Sequence, residues 1–127
     1  MGIWFVIIGG FLGAAGRYLA GEWVQVDSGF PAGTLCVNLI GCLALGWFLT
    51  KAEQWSWIRP EWTLLVGTGI VGSFTTFSTF SLETIQLVQK GAAGLAVIYV
   101  IVTVSLGVLL AYAGRLLAYK RKEGENE

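Results

Sequence analysis

Apolar residues in this chain come in four long blocks, at about residues 3–20, 32–50, 62–88 and 93–117. Each is close to the roughly 20 residues that a helix needs to cross the hydrocarbon core of a bilayer. The connections are short, at residues 21–31, 51–61 and 89–92, and a charged tail follows at 119–127. The pattern predicts an all-α chain of four spans, with one channel-sized unit over residues 1–118. Trp and Tyr gather at the block ends (Tyr18, Trp23, Trp47, Trp55, Trp57, Trp62 and Tyr119), where rings with one apolar and one polar side anchor to a membrane interface.

Composition decides what surrounds those blocks. Hydrophobic residues make up 55% of the chain and charged residues only 13%. A soluble domain carries about 25% charged residues. Mean hydropathy is +0.70, so lipid is the expected solvent for most of the chain. Net charge is zero, which offers nothing to nucleic acid. Histidine is absent from the sequence, and with it the commonest general base and metal ligand. No basic stretch precedes the first block, so that block is expected to stay as a span and not to be cleaved as a signal peptide. Cys36 and Cys42 lie about 9 Å apart along one helix, too far to bridge, and read as small packing residues.

Charge also bears on orientation. With four spans both termini lie on one side. Six Lys and Arg fall on that side (Lys51, Arg59, Arg115, Lys120, Arg121, Lys122) and two on the other (Arg17, Lys90). The bias favours cytoplasmic termini if one orientation dominates. Within the first block Gly9, Gly13 and Arg17 repeat every four residues, the small-residue spacing that lets helix backbones approach closely in lipid.

Polar groups inside spans are costly, so each one needs a reason. Arg17 either snorkels to the interface or faces an aqueous vestibule and attracts anions. Asn38 either glues helices together or turns its N–H donors to an ion. The third block is the most unusual. Gly67, Gly69 and Gly72 precede a run in which Ser73, Thr75, Thr76, Ser78, Thr79, Ser81 and Thr84 supply hydroxyls. Glycine and back-bonding hydroxyls both weaken a helix, so the pattern predicts a break in the third helix near the bilayer midplane. Such breaks survive where protein or a watery cavity satisfies the freed groups, and in transporters they bind ions. Phe77 and Phe80 share a face, and their electron-poor edges suit an anion. Glu83 is either a proton-coupling group or a carboxylate held by Ser or Thr. Tyr99 and Thr103 share a face of the fourth block and extend the hydroxyl track; Ser105 points elsewhere.

Donors dominate this inventory and fixed carboxylates are scarce. A cation path would show acidic rings or carbonyl filters, so a small, hard anion passed between several weak sites fits better. Four helices do not easily enclose a pore alone, which predicts a two-fold dimer. No nucleophile–base pair or phosphate loop is apparent, so enzymatic activity is not expected.

Three segments carry a resemblance: Gly9-Gly10-Phe11-Leu12-Gly13-Ala14-Ala15-Gly16-Arg17-Tyr18, Gly33-Thr34-Leu35-Cys36-Val37-Asn38-Leu39-Ile40-Gly41, and Gly72-Ser73-Phe74-Thr75-Thr76-Phe77-Ser78-Thr79-Phe80-Ser81-Leu82-Glu83. In order and spacing the chain resembles the Fluc (CrcB) fluoride channels. The resemblance implies a passive fluoride-selective channel of the cell membrane that relieves fluoride toxicity, built as an antiparallel, dual-topology homodimer with two pores. It implies pore-lining roles for Phe77, Phe80 and Asn38, with Ser78, Ser81, Tyr99 and Thr103 along the polar track and Arg17 in the vestibule. It also implies a structural sodium ion at the two-fold axis, held by backbone carbonyls of Gly72 and Thr75. The basic-residue bias departs from dual topology and keeps open a pair of homologous, non-identical subunits. The competing transport reading is a proton-coupled exporter of organic cations like the small multidrug-resistance transporters, with Glu83 as the coupling group. A structural membrane protein without transport would leave the third block's polar cluster unexplained.

Overall fold

The computed structural model describes residues 2–23 and 29–123, with side chains described through Tyr119. Among the described residues the chain is helical throughout, without strands. The elements are α1 (Gly2–Trp23), α2 (Ala32–Gln54), α3 (Pro60–Thr63), a π-helical stretch (Leu64–Val71), α4 (Gly72–Phe74), α5 (Phe77–Gln89) and α6 (Ala93–Glu123). Four stretches are long and apolar enough to cross a membrane: Gly2–Trp23, Ala32–Gln54, Pro60–Gln89 and Ala93–Tyr119. These match the four blocks. The helices run past the block ends because backbone bonding continues beyond the apolar run. α2 takes in Lys51, and α6 extends to Glu123, so the start of the charged tail is helical and the rest lies outside the described residues.

The packing explains the glycines. α1 lies against the π-helical stretch, where Gly9 and Gly13 are buried. A Cβ on Gly9 would run into the carbonyl oxygen of Leu65, and one on Gly13 into that of Ile70. Ser73 Oγ then donates to Gly10 O at 2.8 Å and ties α4 to α1. The second close seam joins α2 and α6. Gly46 lies on the backbone of Ala111, Gly114 on that of Leu43 and Trp47, and Gly107 on Cys42 Sγ. Both numbers rise together along this seam, so α2 and α6 run side by side in the same direction. Where water supplies no hydrophobic drive, such close backbone contact is what holds helices together.

The interior is correspondingly small and the exterior apolar. Fully buried hydrophobic residues are few, with Tyr99 the largest at 0% exposure. Leu87, Ala96 and Tyr99 form the core cluster, with Phe30, Leu35, Phe80 and Ala92 packed around it. Large side chains such as Phe11, Ile101 and Val108 face outward, the inverse of a soluble protein and the arrangement lipid requires. Lys51, 2% exposed, lies over the ring of Trp55 at 5.1 Å, a cation–π contact that suits a cation removed from water.

Between Phe74 and Phe77 the backbone leaves the helix. Thr75 (φ −74°, ψ 154°) and Thr76 (φ −143°, ψ 123°) are extended, and α5 starts afresh at Phe77. Upstream, the π-helical stretch already departs from α geometry, with the Gly72 N–H reaching Gly67 O. π-helical segments are uncommon and concentrate at functional sites.

Candidate functional site

The extended pair at Thr75–Thr76 leaves backbone groups that need partners, and Asn38 supplies them. Its Nδ2 donates to Thr76 O at 3.0 Å, and its Oδ1 accepts from Thr76 N at 2.8 Å. The side-chain amide thus reads the Thr76 backbone as a β-strand neighbour would. Asn38 therefore joins helices and still carries a second Nδ2 proton. Thr76 in turn caps α5: its Oγ1 accepts from Thr79 N at 3.2 Å and donates to Thr79 Oγ1 at 3.1 Å, with Ser78 Oγ 3.3 Å away. Capping of this kind typically contributes about 1 kcal/mol.

These diversions free two carbonyls. In a continuous helix Thr76 N would bond Gly72 O and Thr79 N would bond Thr75 O. Here the first goes to Asn38 and the second to Thr76 Oγ1. Gly72 and Thr75 thus lose the usual helical donors of their oxygens.

Downstream, four aromatic rings form a series. Phe77 and Phe80 have centroids 5.8 Å apart, Phe80 and Tyr99 5.1 Å, and Tyr99 and Phe30 5.6 Å with the last pair edge to face. Phe77 is 79% exposed and stands on an open face of the chain, whereas Tyr99 is enclosed. The Tyr99 hydroxyl donates to Glu83 Oε2 at 2.8 Å, and Thr34 Oγ1 donates to Glu83 Oε1 at 2.8 Å. Of the two readings of Glu83, the hydroxyl-held carboxylate is the one with partners in place.

A cleft of about 720 Å³ opens beside this group. Arg17, Glu22, Thr34, Thr76, Thr79 and Glu83 line it. Arg17 therefore faces a polar cavity that leads toward Thr76. Other expected site residues are placed differently. Ser81 Oγ donates to Phe77 O at 2.8 Å and Thr103 Oγ1 to Tyr99 O at 2.6 Å, so both hydroxyl protons are engaged on their own helices. Ser78 stays beside Thr76 at the start of α5. Thr34, Thr79 and Phe30 were not among the expected site residues. A sequence signal existed for Thr34, which lies four residues before Asn38 and so shares its helix face. Phe30 gave none, because it sits in a connection and reaches Tyr99 only through the fold.

Comparison with known proteins bears on the same residues. The family model described as CrcB-like protein, Camphor Resistance (CrcB), matches residues 4–115. A fluoride-specific ion channel FluC of Oceanobacillus iheyensis is 50% identical over 119 residues, covering 93% of this chain and 92% of its own. The fluoride-specific ion channel FluC 1 of Geobacillus kaustophilus is 45% identical over 111 residues, 87% of this chain and 91% of its own. The fluoride-specific ion channel FluC of Methanocaldococcus jannaschii is also 45% identical, over 87% of this chain and 89% of its own. The match runs from α1 into the last third of α6 and so takes in the break, the aromatic series and the cleft: the chain belongs to the CrcB-like family.

Proposed function

We propose that this chain is the subunit of a fluoride-selective channel that lets fluoride leave the cell passively across the cell membrane. The observation that carries the reading is the aromatic series that starts where the backbone breaks, Phe77–Phe80–Tyr99, ending on a carboxylate held by two hydroxyls. Ring edges and single N–H or O–H donors offer many weak contacts to a small anion, and none strong enough to trap it. Arg17 attracts anions into the cleft, Asn38 presents its remaining N–H beside Thr76, and the rings carry the ion onward. The relatives are named as ion channels, which supports transport without a covalent step. The relatives named above, each a fluoride-specific channel, support the choice of anion.

The segments flanking Thr75–Thr76 act as two halves of one crossing, which makes the third span a broken helix. Exposed Phe77 and the open face around it call for a second copy, and an antiparallel homodimer gives each pore the same lining. At its two-fold axis the oxygens of Gly72 and Thr75 from both subunits fit a sodium ion, since carbonyls without helical donors suit a hard cation. Once bound, that ion supplies a fixed positive charge that favours an anion nearby.

The test is ion efflux from liposomes containing the purified protein. Fluoride release with chloride retained is expected; equal release of both would refute selectivity.

A further inference from the structure

Just before α2 the chain makes one tight, well-defined turn. Pro31 has φ −78° and ψ 61°, the geometry of an inverse γ-turn. The matching bond runs from Ala32 N to Phe30 O at 2.8 Å. Gly29 precedes it at φ +73°, in the left-handed region where glycine carries no Cβ penalty. Phe30 is therefore held between a glycine that turns the chain and a proline that fixes its exit. Its ring meets Tyr99 edge to face at 5.6 Å and packs on the Leu87–Ala96–Tyr99 cluster. Phe80 lies against Tyr99 at 5.1 Å, so Tyr99 contacts both rings.

Phe30 also borders two cavities. It lines the large cleft with Arg17 and, together with Pro31, Glu83, Gln86 and Lys90, a second cleft of about 120 Å³. Pro31 and Glu83 also line both clefts.

We infer that Phe30 is a positioning residue of the ion path: presented by the Pro31 γ-turn, it holds the Tyr99 ring so that the hydroxyl stays on Glu83. Phe30 itself donates nothing to an ion. Its effect passes through the Tyr99 hydroxyl, and this gives it a signature distinct from ordinary packing. The inference rests on the channel reading above.

The experiment is a double-mutant cycle in fluoride efflux, using Phe30→Leu, Tyr99→Phe and the pair in the full chain. An aromatic contact of this kind is worth about a two- to tenfold change in population. Phe30→Leu is expected to slow fluoride release by about that factor. In the Tyr99→Phe background, where no hydroxyl remains to be positioned, the same change is expected to add nothing. Phe30→Trp keeps an edge-to-face partner and is expected to restore most of the rate. Melting temperatures in detergent, measured on all five proteins, show that each is folded. Equal fold-losses in both backgrounds, or no loss in either, would overturn the positioning role while leaving the channel reading intact. A folded wild type that released no fluoride would overturn both.

Discussion

Asn38 does two jobs with one amide. It satisfies both the N–H and the C=O of Thr76, groups that the extended backbone leaves without helical partners. Replacing it with Ala strands both, at about 1–3 kcal/mol for each buried group left unsatisfied. We expect Asn38→Ala to lower the unfolding midpoint in detergent markedly and to abolish fluoride flux. An unchanged midpoint would mean that water replaces the amide at no cost. Phe80 makes the other residue-scale prediction. Its ring links Phe77 to Tyr99, so Phe80→Ser should cut flux sharply while the protein stays folded. Glu83 separates passive from coupled transport. Held by Thr34 and Tyr99, it serves here as an acceptor. Glu83→Gln should slow flux without making it follow a pH gradient; loss of flux together with proton-coupled export in the wild type would favour the exporter.

At the scale of elements, the glycines give a contrast within one helix. A Cβ at Gly13 meets the Ile70 carbonyl, whereas one at Gly10 meets nothing within 4 Å. Gly13→Ala should therefore destabilise by the 1–3 kcal/mol typical of overpacking, at about that order, and Gly10→Ala should be tolerated. Comparable melting temperatures for the two would contradict the α1 packing. The same elements show what the sequence made legible. The four spans were readable because lipid demands long apolar runs. The departure from helix near Thr75 was readable because glycines and hydroxyls both weaken helical bonding, but the π-helical turns over Leu64–Val71 were not, since no local signal separates i→i+5 from i→i+4 bonding. The site was half legible. Arg17, Asn38 and Glu83 announced themselves as polar groups in apolar runs. Thr34 gave only the weaker signal of sharing a helix face with Asn38, and Phe30 gave none, because their roles come from meeting Glu83 and Tyr99 far along the chain. Ser81 and Thr103 each donate to the carbonyl four residues back, as a hydroxyl on a helix does unless the fold offers something better.

At the scale of the molecule, the outward apolar surface and exposed Phe77 leave a face that one chain does not cover. An antiparallel pair needs both orientations in one membrane, against a basic-residue bias of six to two. Lys51 weighs less in that count than its position implies, because its side chain is buried against Trp55. A Ser56→Cys reporter in a background lacking Cys36 and Cys42 should be labelled from both sides of the membrane by an impermeant thiol reagent. Labelling from one side alone would point to a paired, non-identical partner. The most direct measurement remains ion efflux from liposomes holding the purified chain alone. Rapid fluoride release with chloride retained is expected. No fluoride release from folded, reconstituted protein, or equal release of the two ions, would contradict it.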